Sequence, residues 1–539
     1  MLKLYFSVMI QLRFRTQICA FAFSIAAAFT MNAQVITSPE IDALVEQTLK
    51  TFNVPGIAVG VVKDGKLIHA KGYGVRSIVT KEKVDEKTFY GIASNSKAFT
   101  TAALAMLVDE KKLNWDDKVR NYIPDFTLYD PFVSENFTIR DLVCHRSGLG
   151  LGSGDLMIWP DSNTNSVNTI IHNLRYLKPV SSFRSKFDYN NNLFVVAGEV
   201  IAKVSGMSWD EFIETRIMKP LEMNTSAASR ARLKNKENIT EPHAPVNGTL
   251  QVCNIHWSET ANAAGGIYTN ITDLSKWVIA QLNNGKYGEG LTKQLFSEKQ
   301  QTEMWNLQTP IPVAAPGYYN THFNGYGLGW FVSDVKGYKQ VTHTGGLAGI
   351  VTQVVLIPEL KLGIMVFTNQ QVGAAFQAIS NTIKDSYLGL PKKDWVSELN
   401  TRVTKLHAEA AKVQDEVNKQ LDAQKKNKMA KPDISNFTGK FKDNWYGSVD
   451  LTLNEKGQFL ITSQNSKRMK GELFYYKANT YVVKWNDRTL DADAYVNFSV
   501  DKDGKATGFT LEAYSPLTDF SFDFQDLEFK RAVNTNTTH

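Results

Sequence analysis

The sequence has few of the features that mark several large classes of protein. Only three of its 539 residues are cysteines, and its nine histidines are scattered, so no cluster has the spacing of a zinc site. The formal net charge is only +6, and the one dense basic tract lies around Lys425, Lys426 and Lys428. We therefore expect no metal, no other cofactor and no nucleic-acid partner.

No stretch reaches the roughly 18 unbroken apolar residues that a membrane-spanning helix needs. The N-terminus instead carries Lys3, Arg13 and Arg15, no acidic residue, and the short apolar run 18–29. This arrangement is typical of a secretory signal peptide, and we expect residues 1–33 to be removed after Ala33. Removal leaves 57 basic and 54 acidic residues. The sequence thus predicts a periplasmic or secreted bacterial protein without a stable membrane anchor.

Two cysteines remain after that cleavage, Cys144 and Cys253. An oxidising compartment allows a disulfide between them, but their spacing does not establish one, and their apolar flanks favour buried free thiols.

The remaining sequence divides into regions with different patterns of apolar and polar residues. Apolar residues at helical spacing predict a helix over about 36–52, and an Asp64-Gly65 turn predicts a hairpin after it. Two adjacent strands at 351–357 and 362–368 come before a helix over 373–388. Sheet material at both ends with helices between them predicts an α+β domain over 34–390, in which an antiparallel sheet is flanked by helices and an all-helical subdomain.

The last part of the chain has a different pattern. Residues 391–432 are rich in Lys, Glu, Ala and Gln with one apolar stripe, which predicts a charged helical linker. Short alternating strands with turns at 454–457 and 501–504 follow, and 519–524 is included among them. They predict a small antiparallel β-barrel or sandwich over 433–539, and no catalytic constellation is visible in it.

The most informative motif is an S-x-x-K pair, Ser94 and Lys97, at the head of an apolar helix over 97–112. Spacing of i, i+3 places both side chains on one helix face. An amine beside a hydroxyl, in a site dry enough to depress the pKa of the amine, can remove the hydroxyl proton and create a nucleophile. The pair alone is weak evidence, because an N-cap serine followed by a solvated lysine is common.

Two downstream elements supply what acyl transfer through a serine also needs. The first is a Y-x-N element, Tyr189 to Asn191, on the loop before a buried helix. The second is His343-Thr344-Gly345-Gly346, directly before the strand pair at 351–368. Each has a structural alternative, a capped helix start and a Gly-rich turn respectively.

In this order the three elements resemble the serine β-lactamase and penicillin-binding protein superfamily, closest to its class C β-lactamase, D-aminopeptidase and esterase branch. The resemblance covers about 36–390, and the β-rich tail is similar to an appendage of some members. It implies that Ser94 is the nucleophile, Lys97 its base, and Tyr189, as a phenolate or as part of a Lys-Tyr relay, the group that passes the proton to the leaving group. It also implies that Asn191 orients Lys97 and the substrate amide.

The resemblance assigns the remaining site residues as well. The backbone N–H groups of Ser94 and Gly346 would form the oxyanion hole, and His343, Thr344 and Gly345 would bind substrate. Antibiotic-hydrolysing class C enzymes have lysine where this chain has His343. An imidazole that titrates near neutral pH is a poorer anchor for a substrate carboxylate, which lowers the expectation of efficient β-lactam hydrolysis.

The sequence lacks a G-x-S-x-G motif, which argues against an α/β-hydrolase. The leading hypothesis is an exported serine hydrolase that forms an acyl-enzyme on an ester, an amide or a D-amino-acid-containing peptide. The alternatives are an acyltransferase that uses an alcohol or amine acceptor, and a non-catalytic cell-wall binding or sensor protein.

Secondary candidates around the site have structural alternatives. His145 is expected to be a structural histidine bonded to the backbone, and Trp159, Trp305 and Tyr318 to be packing residues. A lid over the site is expected in 148–154 or in 306–325.

Overall fold

The computed structural model describes residues 35–255, 257–426 and 432–532, so the predicted signal peptide lies outside the described residues. The helices are α1 (Ser38–Thr51), α2 (Ser96–Asp109), α3 (Pro131–Asn136), α4 (Ile139–Leu142), α5 (Val167–Asn173), α6 (Asn192–Ser205), α7 (Trp209–Phe212), α8 (Asn262–Gly265), α9 (Ile271–Leu282), α10 (Glu298–Met304), α11 (Gly373–Tyr387) and α12 (Trp395–Lys426). Among these described residues, no helix is both long and apolar enough to cross a membrane.

The strands before α11 are mostly antiparallel pairs. They are β1 (Gly56–Lys63), β2 (Lys66–Gly74), β3 (Tyr90–Gly91), β4 (His243–Val246), β5 (Thr249–Val252), β6 (Tyr268–Thr269), β7 (Lys286–Tyr287), β8 (Lys293–Gln294), β9 (Thr309–Pro310), β10 (Asn324–Tyr326), β11 (Phe331–Val335), β12 (Tyr338–Leu347), β13 (Ile350–Ile357) and β14 (Leu362–Thr368). Eight of them form one sheet in the order β2-β1-β14-β13-β12-β11-β10-β9.

Helices cover both faces of this sheet, because its central strands are apolar on both sides. Residues of β1 and β14 are buried along almost their whole length. One face packs on α1, α11 and the start of α12, and the other on α2, α9 and the helical region between β3 and β9. The predicted α+β architecture is confirmed.

Helix α2 is the buried helix that carries the S-x-x-K pair. All of its residues from Ser96 to Leu107 are buried, because the helix itself carries Ala, Leu, Phe and Met side chains on every side. It therefore holds the residues at its N-terminus in fixed positions beneath the sheet.

The C-terminal part is a closed eight-stranded barrel, which resolves the choice between barrel and sandwich. Its strands are β15 (Gly439–Asp443), β16 (Gly447–Leu453), β17 (Phe459–Ser463), β18 (Lys470–Lys477), β19 (Thr480–Trp485), β20 (Ala494–Val500), β21 (Ala506–Ala513) and β22 (Phe529–Arg531). Strand β22 pairs with both β21 and β15, so the barrel has no open edge.

The barrel packs on the helical side of the first domain through the segment 152–173. The backbone N–H of Thr164 donates to Asn465 O (2.9 Å), and Asn173 Nδ2 donates to Trp445 O (2.7 Å). Arg468 forms a buried ion pair with Asp161. Helix α12 begins in the core of the first domain and ends against the barrel, where Gln414 Oε1 accepts from the Tyr514 hydroxyl (3.0 Å).

Two sequence-based expectations about local structure have clear outcomes. Cys144 and Cys253 are buried free thiols, as their apolar flanks indicated. Residues 519–524 do not form the predicted strand. They belong to the loop 514–528, which ends in a short 3₁₀ turn at Phe524–Asp526, and both their polar and their aromatic side chains contact the first domain, as Ser521 does at Asp155 and Phe520 at Tyr189.

Candidate active site

The nucleophile candidate Ser94 sits on a tight turn pressed against the sheet. Ala93 has φ of +48°, a left-handed conformation that costs an alanine about 1–2 kcal/mol. Asn95 Nδ2 donates to Thr352 Oγ1 (2.9 Å), whose hydroxyl donates to Ile92 O (3.0 Å). These bonds to β13 hold the turn in its strained form.

Gly345 explains how close the turn and β12 can come. A Cβ on Gly345 would lie 2.2 Å from Ile92 O and 3.0 Å from Ala93 Cβ. Only glycine permits this approach of the strand to the turn. Gly345, predicted to bind substrate, is placed by the structure at a packing contact behind the nucleophile.

Lys97 is completely buried and has three hydrogen-bond partners. Its Nζ lies 3.0 Å from Ser94 Oγ, 2.7 Å from Asn191 Oδ1 and 2.9 Å from Ala264 O. Burial lowers the pKa of this amine from 10.5 to about 7, and the opposing charge of Asp155 limits the fall. A neutral Lys97 must donate its two protons to the amide and carbonyl oxygens, so its lone pair points at Ser94.

Tyr189 lies on the other side of the nucleophile. It borders the same cavity as Ser94, and burial raises the pKa of the phenol well above its ordinary value, although Ser94 opposes the rise. The lysine amine lies 4.9 Å from the centre of the tyrosine ring. Tyr189 is therefore a neutral phenol, which supports the relay and not the phenolate that the sequence left open.

Asn191 lies between Lys97 and a carboxylate that the sequence did not single out. Its Oδ1 accepts from Lys97, and its Nδ2 donates to Asp155 Oδ2 at 2.7 Å. Burial raises the pKa of Asp155 to about 7, although hydrogen bonds from Asn191 and Ser521 oppose the rise. Both ends of the Asn191 amide are thus engaged by protein groups.

His343 is buried, and its environment differs from the one predicted. Its Nδ1 lies 2.6 Å from Thr344 O, which only accepts, so Nδ1 carries the proton and Nε2 accepts from the Tyr326 hydroxyl (2.9 Å). Burial, reinforced by Lys97, lowers the pKa of the imidazole to about 3. The expectation that His343 titrates near neutral pH is wrong, because the ring is desolvated.

Thr344 and Gly346 face a cavity of about 440 Å³ that opens in front of Ser94. Strand β11 pairs with β12 only as far as Thr342, so from His343 onward that edge of β12 is free of a strand partner. A Cβ on Gly346 would meet no atom within 4 Å. The predicted oxyanion-hole strand edge and Ser94 therefore border the same open space.

The barrel forms one wall of this cavity, which no sequence pattern indicated. The loops 489–491 and 517–522 lie opposite Ser94, and the Phe520 ring packs edge-on against Tyr189 at 5.8 Å between centroids. Four further aromatic residues also line the cavity, namely Trp159, Trp257, Phe187 and Phe331.

These placements settle the secondary candidates. The cover over the site comes from the barrel and not from 306–325, while the backbone of Gly152, within 148–154, lies against Phe520. Trp305 in the core and Tyr318 against Trp395 are packing residues, as predicted, whereas Trp159 borders the cavity.

His145 is a structural histidine, as predicted. Its Nδ1 accepts from the Asn190 backbone N–H (3.1 Å), and its ring packs against Tyr189 at 4.1 Å between centroids. Within the part of the chain that the structure describes, no three His, Cys, Asp or Glu side chains gather as a metal site would require.

A serine paired with a buried lysine and a tyrosine, beneath an antiparallel sheet, is the arrangement expected of a serine hydrolase. Comparison with known proteins identifies the family. Residues 41–387 match the Beta-lactamase family model, and 423–531 match a domain of unknown function, DUF3471. The chain belongs to the β-lactamase family and carries a C-terminal DUF3471 barrel.

The chain is similar to several curated proteins over part of their length. It is 26% identical to the unguisins hydrolase ungD of Aspergillus violaceofuscus over 386 residues, 68% of each chain. It is 29% identical to the protein flp of Staphylococcus aureus over 332 residues, which are 61% of this chain and 62% of flp. The match thus spans about three fifths of the length of flp.

Two solved structures share the fold. One is the octameric penicillin-binding protein homologue from Pyrococcus abyssi, with a TM-score of 0.58 and 20% identity over 92% of this chain and all of that chain. The other is SurE, with a TM-score of 0.53 and 19% identity over 92% of this chain and 99% of SurE.

Proposed function

We propose that this chain is an exported serine hydrolase that forms an acyl-enzyme on Ser94 from an ester, an amide or a D-amino-acid-containing peptide. The observation that carries the proposal is the environment of Lys97. Two of its three partners can only accept hydrogen bonds from it, so the neutral amine directs its lone pair at Ser94 Oγ, 3.0 Å away.

The reaction follows from this arrangement. Lys97 takes the Ser94 proton as the oxygen attacks the substrate carbonyl, and the developing oxyanion lies toward the Ser94 and Gly346 backbone N–H groups. The proton then passes through the Tyr189 hydroxyl to the leaving group, whose bond to the carbonyl carbon breaks. Water attacks the acyl-enzyme in the second half, with the same groups acting in reverse.

The charges around the cavity limit the classes of substrate that it can bind. Among the described residues that line it, none is lysine or arginine, while Asp155, Asp491 and Asp519 are acidic. His343 is neutral and has both ring nitrogens engaged. A substrate with a carboxylate beside the reacting carbonyl, as in β-lactam antibiotics, has no cationic anchor here. Neutral or amine-bearing acyl compounds fit better.

One related protein and the size of the cavity support hydrolysis in a general way. The fungal relative carries the name unguisins hydrolase, and the cavity has room for a small peptide. The periplasmic or secreted location is part of the proposal and rests on the N-terminal sequence.

A substrate panel tests the proposal. Purified protein and Ser94→Ala are assayed against p-nitrophenyl esters, D-amino-acid amides and a chromogenic cephalosporin, with and without an added alcohol. We expect Ser94-dependent release of free acid from esters or amides and poor turnover of the cephalosporin. Ester product exceeding free acid would instead favour acyl transfer, and no turnover of any compound would favour a binding protein.

A further inference from the structure

The base function of Lys97 depends on which way the Asn191 amide faces. If Asn191 turned by 180°, its NH₂ group would point at Lys97 Nζ and offer the lysine lone pair a donor other than Ser94. The amine would then be a poorer acceptor of the serine proton. Something must therefore hold the Asn191 oxygen toward Lys97.

Asp155 supplies that restraint. Its Oδ2 accepts from Asn191 Nδ2 at 2.7 Å, and a carboxylate would repel the amide oxygen that a turned Asn191 presents. Asp155 is completely buried, so no water competes for this bond. Its other oxygen, Oδ1, has no hydrogen-bond partner among the described residues, so its position depends on the bonds to Oδ2.

The second bond to Asp155 Oδ2 comes from the barrel. Ser521 Oγ donates to it at 2.9 Å from the loop 514–528. The same loop is fastened to the two residues directly before Asp155, where Asp523 Oδ2 accepts from the Gly154 N–H (2.5 Å) and Asp526 Oδ2 accepts from the Ser153 hydroxyl (2.6 Å). A chain of hydrogen bonds thus runs from the barrel through Asp155, Asn191 and Lys97 to Ser94.

We propose that Asp155 is a positioning residue that fixes the Asn191 amide so that Lys97 directs its lone pair at Ser94, and that Ser521 of the barrel holds Asp155 in place. The DUF3471 barrel then sets the rate of acylation as well as the shape of the cavity. This inference rests on the proposed function, because it assigns a role within the same acylation step.

Asp155 also contributes its charge to Lys97. The ionised carboxylate raises the pKa of the amine, so loss of this charge lowers the pKa and moves the acid limb of the pH profile to lower pH. The other titratable groups that face this pair from neighbouring elements are Tyr189, His145, His343, Asp519 and Asp523. Of these, His145 and His343 are held neutral by burial.

Four variants of the full chain separate positioning from charge and from folding. Asp155→Ala removes both the charge and the acceptor, whereas Asp155→Asn removes the charge but keeps an oxygen that can accept from Asn191 Nδ2. Ser521→Ala removes the donor from the barrel. Ser515→Ala is the matched control, since among the described residues its Oγ accepts only from the Leu517 N–H within the same loop.

Each variant is characterised by its melting temperature and by the pH profile of the second-order rate of Ser94 labelling with a fluorophosphonate. We expect Asp155→Ala to lower the plateau rate about 100-fold and Ser521→Ala about tenfold, while Asp155→Asn stays within about threefold of wild type. Both Asp155 variants should shift the acid limb to lower pH because they remove the charge, whereas Ser521→Ala keeps the carboxylate and should lower the plateau without that shift. Ser515→Ala should match wild type in both respects.

The outcomes distinguish this inference from the proposed function. The positioning role is supported if wild type is labelled at Ser94, Asp155→Ala is labelled slowly, and Asp155→Asn is labelled at nearly the wild-type rate. Equal rates and acid limbs for folded Asp155→Ala, Asp155→Asn and wild type would overturn it while leaving the hydrolase proposal standing. Absence of wild-type labelling at Ser94 would overturn the proposed function and this inference with it.

Discussion

The pH dependence of acylation is the sharpest quantitative consequence of the buried lysine. Lys97 must be neutral to accept the Ser94 proton, and burial lowers its pKa from 10.5 to about 7. At about one pH unit below that pKa only about a tenth of the enzyme has a neutral amine, and at one unit above about nine tenths does. We therefore expect the acylation rate to rise about tenfold between pH 6 and pH 8 with a slope of one proton.

The assay is single-turnover release of p-nitrophenolate from an activated ester at excess enzyme, followed across this pH range. His343 does not add a second limb near neutrality, because burial lowers the pKa of its ring to about 3. Tyr189 adds none either, because burial raises the pKa of its phenol. Burial raises the pKa of Asp155 to about 7, in the same range, so the profile is also measured for Asp155→Asn, in which the limb belongs to Lys97 alone. A flat profile, or a limb that persists near pH 10, would refute the assignment of a desolvated lysine as the base.

Three further predictions concern individual residues. Gly345→Ala should lower the free energy of unfolding by roughly 2–3 kcal/mol, because its Cβ would lie 2.2 Å from Ile92 O. The neighbouring Gly346→Ala should unfold at the wild-type temperature, because its Cβ enters open space. Equal melting temperatures of the two variants would contradict this. Lys97→Arg should lower ester acylation about 1000-fold at pH 8 and abolish the limb between pH 6 and pH 8, since a guanidinium does not lose its proton. A wild-type rate would contradict the base assignment. Tyr189→Phe should slow amide substrates more than p-nitrophenyl esters, whose leaving group needs no proton, and equal loss in parallel kcat measurements would exclude the relay.

Much of the catalytic core was predictable because it depends on local spacing. Ser94 and Lys97 share a helix turn, the Y-x-N element comes directly before the buried helix α6, and the H-T-G-G element lies within strand β12, where the sheet fixes its direction. The α+β sheet and the barrel were likewise predictable from apolar alternation and turn residues.

The remaining features depend on contacts between distant parts of the chain. Asp155 lies in a Gly-rich loop with no periodic pattern, and Ser521 follows it by 366 residues. Neither residue is part of a recognisable motif, and their interaction becomes evident only from the contact between the barrel and the first domain. The alternating acidic and aromatic residues of 519–524 were the one available clue, and they were interpreted as a strand because period-two alternation does not distinguish a strand from a docked loop.

The state of His343 also depends on three-dimensional context. A histidine in sequence is a group that titrates near neutral pH, but here Tyr326 and the Thr344 carbonyl engage both ring nitrogens and the surroundings exclude water. Desolvation thus turns a candidate anchor for anions into a neutral part of the wall.

The most direct test of the account is the intact mass of the protein after incubation with a fluorophosphonate, followed by peptide mapping. The account predicts one added phosphonyl group on Ser94 in the wild-type chain and none in Ser94→Ala. A modification at another serine, or equal labelling of Ser94→Ala, would contradict the assignment of Ser94 as the nucleophile.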